Sequence, residues 1–466
     1  MALRFYNSLS RRVEEFKPLH KGEARFYSCG PTVYNYAHVG NLRAYVFSDV
    51  LRRYLEFKGF KVTEVMNLTD VDDKTIRDSK KAGVPLAEFT EKYAKAFFED
   101  LGALGIERAE FYPRATEHIP EMVALVKKLL EKGVAYKGSD GSVYFNIKKF
   151  PGYGRLANLG GLKEGASGRV KADEYAKEEA SDFVLWKAWD ANDGNVFWET
   201  EIGKGRPGWH LECSAMSMNY LGETFDIHAG GVDLKFPHHE NEIAQSEAAT
   251  GKKFVNYWLH CEHLLVNGRK MAKREGNFFT LRDVVAKGHQ PKAVRWLLLA
   301  AHYRSQLNFT FEALGQAANT VQRLNDFVQR IQEKQAARKQ NETILAALQA
   351  AESGFESAMD EDLEISRALP HLFELARVVN AEMDADRADG KSLAAVLAFF
   401  RRANGVLGVL DFEKKGFSRE VLALVEEREN ARKARDFKRS DGIRKQLAAM
   451  GVIVEDSDEG PRLKKK

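Results

Sequence analysis

The sequence predicts an α/β protein whose parallel sheet is split by an inserted segment and followed by a helical bundle and a small basic domain. Close to the N-terminus, a strand pattern, a helix pattern and a second strand pattern follow one another between residues 25 and 67. Sheet-like sequence stops at about residue 113 and resumes near residue 225. Beyond Phe309 glycines become rare and apolar residues recur at helical spacing, and the tail is rich in lysine and arginine.

The first strand–helix–strand unit indicates where ligands should bind. Residues 25–29 and 61–67 predict the two strands. Between them, apolar residues recur at helical spacing: Leu42, Tyr45, Val46, Val50, Leu51, Tyr54 and Leu55. Strands joined by a crossover helix run parallel, and ligands bind at the carboxyl ends of parallel strands. We therefore expect Cys29, Thr69 and Asp70 at that edge of the sheet.

The composition is ordinary for a globular protein. The 466 residues are 44% hydrophobic and 30% charged, and this length predicts several domains. Charged residues interrupt every apolar run near the N-terminus, so we expect a cytoplasmic protein with no membrane partner. Three cysteines, Cys29, Cys213 and Cys261, are too few for a disulfide framework and favour roles as ligands or core residues. The net charge of +4 decides little, because the basic residues concentrate in the tail.

The insertion and the bundle have distinct patterns. In the insertion, residues 119–132 predict a helix, residues 143–147 a short strand, and residues 151–180 a stretch rich in glycine and lysine. In the bundle, a long amphipathic helix is marked by Leu314, Ala318, Val321, Leu324, Val328 and Ile331. Helical pattern continues to about residue 410, and the bias of residues 335–349 toward Gln, Ala and Lys predicts exposed helix.

Two short motifs point to a nucleotide. His38-Val39-Gly40-Asn41 lies just before the first predicted helix, where unpaired N–H groups and the helix dipole favour a phosphate. Lys270-Met271-Ala272-Lys273-Arg274 is a basic segment able to neutralise charge on departing pyrophosphate. Taken singly, the first is also compatible with an ordinary loop histidine and the second with a solvated turn.

Two further segments carry potential zinc ligands. The segment that ends in His210-Leu211-Glu212-Cys213 offers a thiol, and His238 and Glu242 offer an imidazole and a carboxylate. Their i, i+4 spacing places His238 and Glu242 on one helix face, and we expect His239 to point elsewhere. A buried cysteine is commonly an inert hydrophobe, and a His–Glu pair at this spacing is commonly a surface pair, so spacing alone leaves both alternatives open.

The order of these motifs around a split sheet resembles class I aminoacyl-tRNA synthetases. Longer segments resemble the cysteinyl-tRNA synthetases among them: residues 27–34, Tyr-Ser-Cys-Gly-Pro-Thr-Val-Tyr, and residues 206–247, which include Phe-Asp-Ile-His-Ala-Gly-Gly-Val-Asp and Phe-Pro-His-His-Glu-Asn-Glu. Residues 67–74, 182–187 and 435–451 also resemble family segments. The resemblance therefore extends over essentially the whole chain.

The resemblance implies a set of site residues. It implies one zinc ion per chain, which the substrate's own sulfur joins, and it implies Mg²⁺ accompanying ATP. The implied zinc ligands are Cys29, Cys213, His238 and Glu242. The implied ATP-contacting and catalytic residues are His38, Asn41, Lys270 and Lys273. The implied substrate-binding residues are Gly30, Thr69, Trp209 and His228 for the amino acid, and Asp233 for adenosine.

The same resemblance implies a domain plan and partners. A Rossmann-like catalytic fold would occupy residues 1–112 and 201–250, with a connective insertion at 113–200. A stem-contact region with the lysine loop would occupy 251–310, a helical bundle 311–412, and a C-terminal anticodon-binding domain 413–466. The implied activity is cysteine–tRNA ligation by a monomer with ATP, L-cysteine and tRNA(Cys) as partners.

The sequence departs from the family pattern at a few positions. Asn41 stands where histidine is common, and Ala272 and Arg274 stand where serines are usual. Pro461 follows the last glycine, where an aromatic residue is common. These changes affect the expected ATP and anticodon contacts and leave both lysines of the motif in place.

Zinc accounts for the choice of substrate. It favours deprotonation of a coordinated thiol, whereas the hydroxyl of serine is harder and much less acidic. Four protein ligands normally close a zinc site, so a substrate thiolate would be a fifth. We hypothesise that Glu242, the hardest of the four ligands, is displaced when cysteine binds.

Two other functions fit parts of the pattern. One is the related ligase that joins cysteine to an amino sugar in mycothiol synthesis, which resembles a synthetase without the tRNA-reading end. The other is a non-catalytic paralogue that binds tRNA or cysteine. The basic tail argues against the first, and Lys270, Lys273 and the complete ligand set argue against the second.

Overall fold

The computed structural model describes residues 2–159, 182–271, 276–334, 340–413, 419–457 and 460–465. The chain divides into two compact units, residues 1–410 and 411–466, and each is described by itself. Lys273, Ala272 and Arg274 lie outside the described residues, as does most of the glycine- and lysine-rich part of the insertion.

The first unit begins with a hairpin and one half of a parallel sheet. Its elements are β1 (Arg4–Asn7), β2 (Arg12–Glu15), β3 (Glu23–Ser28), α1 (Val39–Phe57), β4 (Lys61–Met66), α2 (Asp73–Ala82) and α3 (Leu86–Ala103). Strands β3 and β4 pair in parallel with Ser28 opposite Met66. Helix α1 covers them, and its apolar face is fully buried at Leu42, Val46, Leu51 and Leu55. Both predicted strands and the crossover helix are therefore present.

The inserted segment forms a separate antiparallel sheet. Its elements are α4 (Ile119–Glu131), β5 (Ala135–Lys137), β6 (Val143–Phe145), β7 (Phe183–Ala188), β8 (Trp198–Thr200) and β9 (Gly203–Pro207). The strand order is β5-β6-β7-β9-β8. Helix α4 packs on it through Met122, Val126 and Leu129, which share a hydrophobic core with Phe145 and Trp186.

The parallel sheet then resumes and is completed. Its remaining elements are α5 (Trp209–Leu221), β10 (Phe225–Gly231), α6 (His238–Thr250) and β11 (Val255–Cys261). The strand order is β11-β10-β3-β4, and every neighbouring pair is parallel. The sheet is therefore split in sequence and continuous in space. Cys29, Asn67 and Asp233 follow the carboxyl ends of three of its strands, on one edge.

A small mixed sheet and a helical bundle complete the first unit. The mixed sheet comprises β12 (Leu264–Val266), β13 (Arg269–Lys270) and β14 (Leu307–Phe309), with α7 (Leu281–Ala286) and α8 (Pro291–Leu299) between β13 and β14. The bundle comprises α9 (Phe311–Glu333), α10 (Glu342–Asp360), α11 (Ile365–Asp384) and α12 (Gly390–Leu407). The predicted exposed helix over residues 335–349 is wrong at Asn341, because the side chain of Asn341 caps α10 and the helix begins only at Glu342. Residues 335–339 lie outside the described part of the chain.

The second unit contains α13 (Arg419–Lys433), α14 (Phe437–Ala449) and the hairpin of β15 (Val452–Ser457) and β16 (Gly460–Lys465). Its small core is formed by Val421, Val425, Ile443, Leu447, Val452 and Val454. Across both units, none of the helices within the described residues is long and apolar enough to cross a membrane.

Candidate active site

Four potential metal ligands from distant parts of the sequence meet at the carboxyl edge of the parallel sheet. Cys29 directly follows β3, Cys213 lies in α5, and His238 and Glu242 lie in the first turns of α6. Their ligand atoms lie within 4.8 Å of one another. All but Cys29 are buried, and Cys29 is half-buried. The structure thus brings together all four residues predicted to bind zinc.

The start of α6 decides which side chains reach this cluster. Pro237 precedes the helix, and Nε2 of His238 lies 3.1 Å from Oε1 of Glu242 one turn later. The prediction that His239 points elsewhere is wrong, since its Nε2 lies 3.2 Å from Sγ of Cys29. His239 and Glu242 are three residues apart, and i, i+3 positions share a helix face as i, i+4 positions do.

His239 creates a second possible donor set. Cys29, His228, His239 and Glu242 also have ligand atoms within 4.8 Å of one another, and they share Cys29 and Glu242 with the first set. The other ring nitrogen of His239, Nδ1, lies 2.8 Å from Nε2 of His260, which fixes the orientation of the His239 ring.

Burial disfavours the charged form of four imidazoles in and beside the cluster. Burial lowers the pKa of His238, His239 and His260 well below the ordinary value, and burial lowers the pKa of His210 to about 3. A neutral imidazole keeps the lone pair that binds a metal. Nδ1 of His238 lies 2.9 Å from Nδ1 of His210, which orients the ring so that Nε2 faces Glu242.

Burial opposes ionisation of the two thiols and the carboxyl group of the cluster. Burial raises the pKa of Cys29 well above its ordinary value, and it also raises the pKa of Cys213 and of Glu242. Oε1 of Glu242 is fully buried and makes no hydrogen bond among the described residues, although Nε2 of His238 lies 3.1 Å from it. Two thiols, one neutral imidazole and this carboxylate oxygen are the ligand types that Zn²⁺ prefers, and a dication would offset the burial of their anionic forms. The donor set therefore fits zinc.

The side chains predicted to bind the amino acid surround the metal ligands. The indole of Trp209 stacks on His238 with ring centroids 4.3 Å apart. Nε2 of His228 donates to Oε2 of Glu242 at 2.9 Å. The hydroxyl of Thr69 donates to Oε2 of the buried Glu212 at 3.0 Å.

Gly30 is constrained by its neighbour. A Cβ at this position would lie 1.8 Å from the carbonyl oxygen of Asn67, so no other residue fits without movement of the backbone. The side chain of Asn67 accepts a hydrogen bond from the Gly30 amide at 2.8 Å and donates to Thr69 Oγ1 at 3.1 Å. Asn67 thereby ties the ends of β3 and β4 together.

The two phosphate motifs meet at the start of α1. Nδ1 of His38 caps the helix by accepting hydrogen bonds from the amides of Gly40 at 3.1 Å and Asn41 at 3.2 Å. Because Nδ1 accepts, the neutral ring carries its proton on Nε2. Met271 of the second motif packs so closely on Gly40 that a Cβ there would lie 2.6 Å from its Cε.

Two further predicted residues, Lys270 and Asp233, are exposed. Lys270 is exposed on β13, and its carbonyl accepts from Asn277 Nδ2 at 3.2 Å. Asp233 is exposed in the 3₁₀ turn after β10, on the same sheet edge as Cys29. Lys273 lies outside the described residues.

Sequence reasoning missed several residues that the structure adds to the site. They are Asn67, His210, Glu212, His239 and His260. His210, Glu212, His239 and His260 lie in two helices and a strand that are buried nearly throughout, so no polar–apolar pattern marks them. For Asn67, the position directly after a predicted strand was an available signal.

A split parallel sheet with an ATP-type motif at the first helix and a lysine motif after the last strand defines a class I aminoacyl-tRNA synthetase. The family model described as tRNA synthetases class I (C) catalytic domain matches residues 15–319. A DALR domain matches residues 354–411, and a cysteinyl-tRNA ligase anticodon binding domain matches residues 414–461.

Curated relatives identify the family within this class. The cysteine–tRNA ligase of Brachyspira hyodysenteriae is 51% identical over 99% of both chains. The cysteine–tRNA ligase of Protochlamydia amoebophila is 49% identical over 99% of this chain and 98% of its own length. This chain belongs to the cysteine–tRNA ligase family.

Solved structures support the fold. Mycobacterium tuberculosis methionyl-tRNA synthetase in complex with methionyl-adenylate superposes with a TM-score of 0.60 at 15% identity, over 82% of this chain and 89% of that chain. A putative arginyl tRNA synthetase from Campylobacter jejuni superposes with a TM-score of 0.59 at 15% identity, over 85% of this chain and 95% of that chain. At this identity the likeness concerns the fold alone.

Proposed function

We propose that this protein activates L-cysteine with ATP and transfers it to the 3′ end of tRNA(Cys), with one zinc ion selecting the substrate. The observation that carries the proposal is the Cys29, Cys213, His238 and Glu242 cluster at the carboxyl edge of the nucleotide-binding sheet. Zinc held there would favour the thiolate form of cysteine over the hydroxyl of serine.

The remaining residues act on the amino acid and the nucleotide. Gly30, Thr69, Trp209 and His228 would enclose the amino acid, and Asp233 would contact the adenosine. His38 would donate from Nε2 to a phosphate oxygen, because its Nδ1 is engaged by the helix cap. Asn41, Lys270 and Lys273 would stabilise charge that develops on the triphosphate, with Mg²⁺ accompanying ATP.

The reaction then has two steps. The cysteine carboxylate attacks the α-phosphorus of ATP, and the bond to pyrophosphate breaks to leave cysteinyl-adenylate. The terminal ribose hydroxyl of the tRNA attacks the carbonyl carbon, loses its proton and releases AMP. Neither step forms a covalent bond to the protein, so catalysis rests on positioning and charge stabilisation.

Glu242 has an alternative partner if it leaves the metal. Its Oε2 accepts from His228, so the carboxylate stays hydrogen-bonded in the buried site. This supports displacement of Glu242 when the substrate sulfur arrives.

We assign domains to these roles as predicted from the sequence. Residues 1–112 and 201–250 form the catalytic fold, residues 113–200 the connective insertion and residues 251–310 the stem-contact region. Residues 311–412 form the bundle, and residues 413–466 bind the anticodon. A cytoplasmic monomer is the proposed form of the enzyme.

Cysteine-dependent exchange of pyrophosphate into ATP tests the first step, and charging of tRNA(Cys) with serine as competitor tests the second. We expect both with cysteine and neither with serine. Absence of exchange would exclude the ligase. Exchange without tRNA charging would favour the amino-sugar ligase, which the match to an anticodon binding domain argues against.

A further inference from the structure

Arg43 is a buried cation with an unusual set of partners. It lies in α1, two residues after Asn41, and only 2% of it is exposed. Its Nη1 donates to the carbonyl oxygens of Glu262 at 2.9 Å and His263 at 2.8 Å. Its Nη2 donates to the carbonyl oxygens of His302, at 3.3 Å, and Ser305. All four acceptors are main-chain carbonyls.

These carbonyls belong to the two segments that enter the small mixed sheet. Glu262 and His263 directly precede β12, and Ser305 lies two residues before β14. Strands β12 and β14 are parallel, so one guanidinium holds both at the same end. The planar guanidinium of an arginine offers five N–H donors in a rigid fork wide enough to reach both segments, whereas the ammonium of a lysine is a compact charge with three donors on one nitrogen.

The sheet held in this way carries Lys270. Strand β13 pairs with β12 so that Lys270 lies opposite Leu265, two residues after His263. On the other side of the lysine motif, the amide of Val39 donates to Phe279 O at 2.9 Å. Both segments that flank the motif are therefore fastened to the first turns of α1, where His38 and Asn41 lie.

We propose that Arg43 is a positioning residue for adenylate formation, which sets Lys270 relative to the phosphate-binding turn of α1. The inference rests on the proposed function of Lys270. Arg43 does not touch substrate: it acts through the main chain of β12 and β13. Burial makes the arrangement rigid, because its donors lack water as an alternative partner.

Arg43→Lys is the direct test, since it retains the positive charge and loses the fork. We expect kcat for cysteine-dependent pyrophosphate exchange to fall about tenfold or more, because displacement of a catalytic group by about 1 Å can cost as much as 100-fold. We expect the KM for cysteine and the zinc content to stay near wild type. Transfer from preformed cysteinyl-adenylate to tRNA should also be unchanged.

Arg295→Lys is the matched control. Arg295 is equally buried and donates to Leu407 O at 2.6 Å, to Leu104 O at 3.3 Å and to the carboxylate of Asp49, none of which belongs to the segments that enter the lysine-bearing sheet. We expect a comparable loss of thermal stability in both variants, with kcat for exchange retained only in Arg295→Lys.

A double-mutant cycle with Lys270→Ala separates positioning from general destabilisation. If Arg43 acts through Lys270, Arg43→Lys should add little further loss of exchange in the Lys270→Ala background. Full additivity, or equal losses in adenylate formation and transfer, would overturn the proposal. Wild-type protein without exchange would instead mean that the proposed function itself has failed.

Discussion

Nε2 of His228 lies 2.9 Å from Oε2 of Glu242, and both side chains are fully buried. The ring of His228 also stacks on Trp258 with centroids 4.6 Å apart, which fixes the direction of the hydrogen bond. Oε1, the other oxygen of Glu242, faces His238. The Glu242 carboxylate thus connects His238, a predicted zinc ligand, to His228, which is predicted to bind the amino acid.

His228→Phe keeps the stacked ring and removes the donor to Glu242. We expect zinc affinity to fall about 10- to 100-fold, as is usual when the partner that orients a ligand is lost. Competition with a chromogenic chelator measures this. His302→Phe is the control, since His302 is another buried histidine that contacts a carbonyl, of Asp362, at 2.9 Å. Equal zinc affinity in wild type and His228→Phe would contradict the orienting role.

The two overlapping donor sets make opposite predictions for adjacent histidines. Cys213 and His238 belong to one set, and His228 and His239 to the other. We expect His238→Ala to lose zinc and His239→Ala to retain it, because two thiols bind zinc better than one. Metal analysis of the purified variants decides this. Loss of zinc from His239→Ala with retention in His238→Ala would assign the ion to the second set.

Some features of the candidate site could be predicted from the sequence and others could not. The i, i+4 spacing of His238 and Glu242 is a local property of a helix, so it could be predicted from the sequence. The approach of Cys29 and Cys213 depends on how β3 and α5 pack, and only the family resemblance indicated it. Periodicity failed for His239, because i, i+3 and i, i+4 neighbours both reach a cluster located beside the helix.

The fold also contains elements that local sequence patterns predict and contacts that they do not. Strands β3 and β4 and helix α1 follow from short-range patterns, as do α4 and α9. Arg43 carries no local signal, because its burial depends on carbonyls more than two hundred residues away in sequence. A cation inside a helix with an apolar face is ordinarily expected at the surface.

Glu64 gives the catalytic unit a specific pH dependence. Burial raises the pKa of Glu64 to about 8, although Ser28 donates to its Oε1 at 2.8 Å. In the unfolded chain a glutamate has a pKa of about 4.3, so the folded state binds the proton more tightly. The contribution of this group to stability is therefore full below about pH 4.3 and is lost as pH rises toward about 8.

The Gln side chain of Glu64→Gln does not ionise, so the variant does not lose this stability as pH rises. We expect its Tm to match wild type near pH 4 and to exceed it increasingly toward pH 8, because each unit of pKa shift corresponds to about 1.36 kcal/mol. Calorimetric scans of both proteins at matched pH measure the difference in Tm. Because the other groups titrate alike in both proteins, their effects on Tm cancel. A difference in Tm that does not change with pH would show that Glu64 does not titrate in this range.

Phe437 is the most exposed large hydrophobic residue described, with 64% of its surface accessible. It begins α14 in the second unit and lines a pocket together with Arg432, Lys433 and Pro461 and with the carboxylates of Glu429 and Asp456, both of which pair with Arg432. An exposed aromatic ring among basic side chains is the arrangement that stacks on an unpaired base while the cations contact phosphates. We therefore expect this pocket to contact the tRNA.

Phe437→Ala should weaken tRNA charging and leave amino-acid activation intact. Stacking contributes about 1 to 3 kcal/mol per base, so kcat/KM for tRNA should fall about 5- to 150-fold. Cysteine-dependent pyrophosphate exchange, which needs no tRNA, should remain at the wild-type rate. Leu422→Ala is the matched control, because Leu422 is an apolar residue of the same unit with 50% of its surface exposed and no ring to stack. Equal charging defects in the two variants would indicate loss of unit stability instead of loss of a base contact.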